Sequence, residues 1–161
     1  MKKPALRLLA CVLATAAAVA AVAHGDVTPH PIDTTGLKAL GSDWVPANPY
    51  RGDAKAVEIG ADGYEHNCAG CHGLRAESGG VAPDLLKLDL DCLKIAQKAK
   101  KDACLDDTDD YFKGVVLRGK KTSEGRFTMP AYDGVFTQEA VWALKSYIDS
   151  RTLEETGAKA N

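Results

Sequence analysis

The 161-residue sequence has little of several things, and each shortage closes off a class of explanation. Positive charge is not in excess: 20 Lys and Arg face 22 Asp and Glu, a balance that opposes binding to nucleic acid or to an anionic membrane surface. Only one long apolar run occurs, at the N-terminus, and it is shorter than a membrane span. No stretch alternates convincingly between apolar and polar residues and no segment repeats, so neither a sheet domain nor a solenoid is expected. Methionine is scarce, with Met1 and Met129 alone. There is one Cys-x-x-Cys, with neither a second nor a histidine pair after it, so tetrahedral zinc cannot be completed.

Residues 1–23 read as a secretory signal. Lys2, Lys3 and Arg7 make a basic start, Leu8 to Ala20 an apolar stretch, and Ala21-Val22-Ala23 a small-residue cleavage site. Leu8-Leu9-Ala10-Cys11 has the outline of a lipidation box, but there the apolar core precedes the cysteine and here it follows, so no membrane anchor is expected. Cleavage near Ala23 would deliver a soluble protein to the periplasm. The signal holds three bases and no acids, so the mature chain carries 17 Lys and Arg against 22 Asp and Glu, a formal net charge of −5. Its size allows one compact domain.

What is present centres on Cys68-Ala69-Gly70-Cys71-His72. The run Cys-x-x-Cys-His is an attachment site for a c-type haem: two thiols form thioethers with the vinyl groups, and the next residue supplies an axial nitrogen to iron. A thioredoxin-type pair should instead close a strand, whereas the stretch upstream, Gly60 to Glu65, is helix-like. A haem needs a sixth ligand. After signal removal Met129 is the sole methionine, and Pro130 beside it fixes the backbone of its loop. His66 or an open site are the alternatives; His66, on the helix entering the motif, would have to cross the haem plane.

Cys11 leaves with the signal, and Cys92 and Cys104 remain as an even pair in an oxidising compartment. A disulfide is expected there, with two buried free thiols as the alternative. Twelve residues of straight helix would separate the Cα atoms by about 18 Å, against the less than about 7 Å that a disulfide needs, so the segment should turn back near Lys100-Lys101-Asp102.

Residues 24–50 read as an extended arm, interrupted by Pro29, Pro31, Pro46 and Pro49 and packed on the body through Trp44 and Tyr50. His24 and His30 read as solvated. A first helix is expected over Asp53 to Asn67, with Gly60 admitting a close neighbour. A second spans Asp109 to Leu117 with Phe112, Val115 and Val116 inward. The last helix is capped by Thr137, with Glu139 at its positive end and an apolar stripe of Ala140, Val141, Leu144, Tyr147 and Ile148. The class is all-α.

Gly60-x-x-x-Tyr64, the haem motif, Pro83-Asp84-Leu85, Met129-Pro130 and Trp142-x-x-x-x-Tyr147 together resemble a class I bacterial cytochrome c over residues 51–152, with 153–161 as a tail. The resemblance implies His72 and Met129 as axial ligands and the Pro83 carbonyl as acceptor for the His72 N–H, a bond that fixes the imidazole. It implies that Gly60 and Tyr64 pack on the last helix near Leu144 and Tyr147, and that Asp84, Leu85 and Tyr132 surround the haem. More narrowly, Asp26-Val-Thr-Pro29, Asp33-Thr-Thr-Gly36-Leu37, Asn48-Pro-Tyr-Arg-Gly52 and Ser78-Gly-Gly80 resemble the periplasmic cytochrome that serves PQQ-dependent (quinoprotein) ethanol dehydrogenase. That resemblance implies a monomeric one-electron carrier, not an enzyme, placed between a PQQ-dependent alcohol dehydrogenase and a terminal oxidase or further cytochrome. A general respiratory carrier, or a haem enzyme subunit with an open iron site, is the alternative.

Overall fold

The computed structural model describes residues 28–157, so the signal, its cleavage site, Cys11, His24 and the end of the tail lie outside the described residues. Five helices carry the fold: α1 Ala54–Asn67, α2 Ala69–His72, α3 Leu90–Leu93, α4 Lys98–Arg118 and α5 Gln138–Thr156. A small antiparallel hairpin, β1 Lys120–Lys121 and β2 Phe127–Met129, is the sheet among the described residues. The architecture is all-α, and no described helix is long and apolar enough to cross a membrane.

Helices α1 and α5 pack most closely at Gly60. A Cβ there would land on the carbonyl oxygen of Ala143 and 2.9 Å from the Cβ of Tyr147, so the low helix propensity of glycine is offset by backbone-to-backbone approach. One turn on, the rings of Tyr64 and Tyr147 lie 5.2 Å apart. Thr137 caps α5 as expected, accepting the Ala140 N–H at 3.3 Å, while Asp53, expected as the first helical residue, is the cap of α1 and accepts the Ala56 N–H at 2.9 Å.

Residues of the arm wrap α5. The Glu139 carboxylate accepts the Leu40 N–H at 2.8 Å, and the Gln138 amide accepts from Val45 and donates to the carbonyls of Gly41 and Asp43. Tyr50 is buried with Ala56, Ile59, Trp142 and Ala143, and Trp44 stands edge-on to Trp142 with ring centroids 6.2 Å apart. The His30 N–H donates to the Asn67 side chain, while the ring itself is not engaged at that bond.

The sequence expectation differs from the structure around the second cysteine pair. Cys92 and Cys104 are joined in a disulfide with Cα atoms 5.5 Å apart, but the chain reverses over residues 94–97, between α3 and α4. Lys100, Lys101 and Asp102 are already helical, because Gln97 is extended (ψ 112°) and starts the helix at Lys98. Helix α4 therefore begins eleven residues before Asp109 and holds 21 residues. Its N-terminal half has Ala99, Ala103, Cys104 and Leu105 but no apolar stripe of helical period, which hid it from a reading based on apolar periodicity. The last helix also runs past 152, to Thr156.

Candidate functional site

A cavity of about 580 Å³ opens beside the Cys-x-x-Cys-His segment. Cys68 follows α1 directly and α2 is a single turn, so Cys68, Cys71 and His72 are delivered to one wall by a helix-to-helix junction. Two tyrosines hold this junction in place. The Tyr64 hydroxyl donates to the Gly73 carbonyl at 2.8 Å, and the Tyr132 hydroxyl donates to the Asn67 carbonyl at 2.8 Å. Burial pushes both phenols well above the ordinary tyrosine range, so each remains a hydrogen-bond donor at any ordinary pH.

The His72 ring is turned by its Nδ1, which lies 2.8 Å from the Pro83 carbonyl oxygen. A carbonyl can only accept, so Nδ1 carries the proton and Nε2 is left with its lone pair free for a metal. Burial, with Cys71 adding to it, pushes the Cys68 thiol up to about 12. That is opposite to the lowered thiol of a thioredoxin-type redox pair. Among the described residues no group of three His, Cys, Asp or Glu is placed to hold a bare metal ion.

Met129 enters the same cavity from the end of β2. Its loop is clamped to the C-terminus of α4: Tyr132 and Asp133 donate their N–H groups to the carbonyls of Val116 and Leu117, each at 3.1 Å. Gly119 makes that clamp possible. It caps α4 at φ 67°, and a Cβ there would meet the Met129 carbonyl oxygen and the Pro130 backbone at 2.8 Å. Sequence reasoning passed over this glycine, although Gly immediately after Arg118 is a helix-end signal.

All seven residues expected at the haem, namely Cys68, Cys71, His72, Pro83, Leu85, Met129 and Tyr132, line this one cavity. Asp84 lines it too, while its carboxylate accepts the Leu86 N–H and so caps the turn that carries Leu85. His66 does not come near: its ring is exposed, bonded to the Asp62 carbonyl, and lines a separate shallow pocket against the arm. Most of the remaining wall is apolar, with Phe112, Val116, Phe136, Leu144 and Ile148 among its residues, and Lys87, Lys120 and Thr128 also line the cavity. A volume within the usual range of about 300–1,000 Å³ for cofactor sites, with two free thiols, one imidazole and one thioether around apolar walls, fits a covalently held haem.

Behind this wall sits a feature that the sequence did not disclose. Arg51, Asp89, Asp109, Lys145 and Asp149 form a largely buried charge cluster, in which Lys145 and Asp109 are fully enclosed. Asp109 is therefore not part of an exposed acidic stretch with Asp106, Asp107 and Asp110, as its neighbourhood in sequence suggests. One local signal existed: Lys145 and Asp149 stand four residues apart inside the apolar stripe of α5.

Residues 55–148 match the family model described as cytochrome C oxidase, cbb3-type, subunit III. The chain is 43% identical over 139 residues to a cytochrome c550 of Pseudomonas aeruginosa, covering 84% of this chain and 86% of that protein. It is 31% identical over 99 residues to the quinohemoprotein alcohol dehydrogenase ADH-IIG of Pseudomonas putida, covering 62% of this chain and 11% of the dehydrogenase. Against the quinohemoprotein alcohol dehydrogenase ADH IIB of the same species it is 30% identical over 111 residues, covering 69% of this chain and 13% of the dehydrogenase. No solved structure matches.

Proposed function

The chain belongs to the class I c-type cytochromes, carriers of single electrons on a covalently bound haem c, and on that premise we propose how its residues hold the haem and whom it serves. Cys68 and Cys71 would hold the haem through thioethers, and His72 Nε2 and the Met129 sulfur would bind its iron. The Pro83 carbonyl fixes the His72 ring, and Leu85 and Tyr132 pack around the haem. One observation carries this reading: a single apolar cavity receives the cysteines and imidazole from the α1–α2 junction and the thioether from the α4-anchored loop.

With His72 and Met129 both on the iron, no position would be open to substrate, and the haem would supply only one-electron exchange. The chain's own part is to exclude water with apolar walls and to hold the imidazole in one tautomer. Its soft thioether favours the reduced state. The test is carbon monoxide binding to the reduced protein. The wild type should refuse it, whereas Met129→Ala should bind it and show a lower potential. Ready binding by the wild type would favour the alternative of a haem enzyme with an open site.

For the partner, the proposal is a soluble periplasmic monomer, exported by residues 1–23 and made of an arm (24–50), a cytochrome domain (51–152) and a tail (153–161). It accepts electrons from a PQQ-dependent ethanol dehydrogenase and passes them to a terminal oxidase or another cytochrome. Support comes from the arm motifs and from the 31% and 30% identity to segments of two quinohemoprotein alcohol dehydrogenases. An alcohol gives up two electrons, so each turnover needs two encounters with oxidised cytochrome. Mixing oxidised protein with such a dehydrogenase and ethanol should reduce it rapidly. If it stays oxidised there, yet exchanges electrons quickly with an oxidase, the general respiratory role is the right one.

A further inference from the structure

The charge cluster behind the cavity is not needed for holding a haem, and its composition is unbalanced. Lys145, fully enclosed on α5, places Nζ 2.6 Å from Asp89 Oδ2 and 3.3 Å from Asp109 Oδ1, and donates to Asp149. Arg51, from the loop before α1, places Nη2 2.7 Å from Asp109 Oδ2 and Nη1 2.5 Å from Asp149 Oδ2, with Asp89 Oδ2 at 3.8 Å. Three carboxylates thus face two cations, and full ionisation would leave one negative charge uncompensated among groups that are almost dry.

Neutral partners decide which carboxyl is left over. Asp89 Oδ1 accepts the Thr108 hydroxyl at 2.6 Å, and Asp109 Oδ2 accepts the Asn48 N–H at 2.8 Å. The second oxygen of Asp109 has the Lys145 ion pair but no aligned hydrogen bond. Asp149 shares Lys145 and Arg51 with the other two carboxyls and is hydrogen-bonded to Asp89. Burial raises Asp149 first, Asp89 raises it further, and Lys145 and Arg51 oppose them, leaving its carboxyl at about 7. Burial also raises Asp89, but Lys145 and the donors around it more than reverse this and hold it below its ordinary range. The charged groups facing Asp149 are therefore Lys145 on its own helix, Asp109 on α4, Asp89 before α3 and Arg51 before α1.

The cluster is carried by the same elements that wall the haem cavity. Asp149 follows Ile148, Lys145 follows Leu144, Asp89 follows Leu88, and Asp109 stands one helical turn before Phe112; each of these apolar neighbours lines the cavity. We propose that Asp149 is a proton-binding site linked to the redox state of the cavity: it takes one proton from solvent when an electron arrives and returns it when the electron leaves. Reduction removes one positive charge from the cavity that these elements share, so a carboxylate held on them loses stabilisation and its protonated form gains. The cluster reaches solvent at Arg51, whose side chain is 31% exposed, and at Asp149, whose side chain is 7% exposed. The electron comes from the cytochrome's donor, or in a test from an electrode.

This inference rests on the haem reading, and the experiment separates the two. The midpoint potential of the holoprotein is followed against pH by spectroelectrochemistry, alongside the infrared difference between the reduced and oxidised forms. Wild type should show a potential that falls as pH rises through the neutral range, and a protonated-carboxyl stretch that grows on reduction. Asp149→Asn should remove both the pH dependence and that band, while the haem spectrum is unchanged. Should that variant fail to fold, Arg51→Gln, which takes away one cation from a partly exposed position, should move the window up by about one pH unit or more. A pH-independent wild-type potential, or a dependence that survives in Asp149→Asn, overturns the inference and in the second case points to the haem's own carboxylates. A protein without a haem spectrum would overturn the haem reading instead.

Discussion

The Tyr132 hydroxyl donates to the carbonyl of Asn67 at 2.8 Å, tying the loop that follows Met129 to the residue that precedes Cys68. Two stretches 65 residues apart in sequence are thereby fixed relative to each other at the point where both reach the cavity. Tyr132 also stacks on Phe136, with ring centroids 4.4 Å apart, so its ring is held independently of its hydroxyl.

Tyr132→Phe should keep the ring stack and lose the bond, leaving a buried carbonyl without that donor, at a cost of about 1–3 kcal/mol. Denaturant unfolding of the holoprotein should show the loss. The reduced protein should also begin to bind carbon monoxide, because the Met129 loop is no longer tied to the opposite ligand. A variant as stable and as closed as wild type would deny Tyr132 this role.

Gly60→Ala meets backbone, the Ala143 carbonyl, and no side chain that can swing aside. Helices α1 and α5 would have to separate, and a loss at the upper end of the 1–3 kcal/mol typical of overpacking, or more, is expected. Gly70→Ala, where a Cβ meets nothing within 4 Å, is the control and should be near neutral. Thermal unfolding of the pair measures the difference.

The Cys92–Cys104 disulfide closes a separation of 12 residues, which on the chain-entropy model contributes about 3 kcal/mol. Non-reducing peptide mapping should recover the two half-cystines linked. Cys92→Ser with Cys104→Ser should lower the unfolding midpoint while leaving the haem spectrum intact, since the bridge ties α3 to α4 away from the cavity. Alkylation of both thiols in native, unreduced protein would contradict it.

For docking, the cations to change are those beside Met129. Lys120 and Lys121 lie on β1 with their ammonium groups 5.2 Å from the Tyr111 ring and 4.4 Å from the Phe127 ring, two large apolar side chains left exposed. Lys98, by contrast, pairs with Asp102 at the other end of α4. Charge reversal at Lys120 and Lys121 should change the rate of reduction by a quinoprotein ethanol dehydrogenase at low salt, and the difference should shrink at physiological ionic strength. The same reversal at Lys98, Lys100 and Lys101 should do less. Equal effects from both groups would mean that net charge, and not this face, governs encounter.

Local chemistry in this chain is written locally and was legible. Adjacent Cys71 and His72, the Met129-Pro130 pair, and the cap at Thr137 act through neighbours a few residues away, so spacing alone carries them. Helix α4 was half legible: Phe112 and Val116 show a buried face, but residues 98–108 have no apolar stripe, and that segment is tied back through the disulfide to Cys92 and through Thr108 to Asp89. The charge cluster was not legible, because Arg51 finds Asp109 and Asp149 across 58 and 98 residues and each, read singly, is an ordinary surface charge. Asp109 shows the cost most plainly, having the sequence surroundings of an exposed acidic run and the exposure of a core residue.

The arm clasps the last helix through bonds that span 93 to 99 residues, from Val45 and Leu40 to Gln138 and Glu139. In a mostly helical protein such distant pairings are unusual, and they tie the arm to the start of α5. The arm is then not free to fray by itself: peeling it away uncovers Trp142 and strips α5 of its N-terminal partners, and loss of α5 removes the surface on which α1 rests. The amides of Leu40 and Val45 should accordingly exchange with solvent only as slowly as those at the centre of α5, so that the periphery and the middle of this molecule share one lifetime.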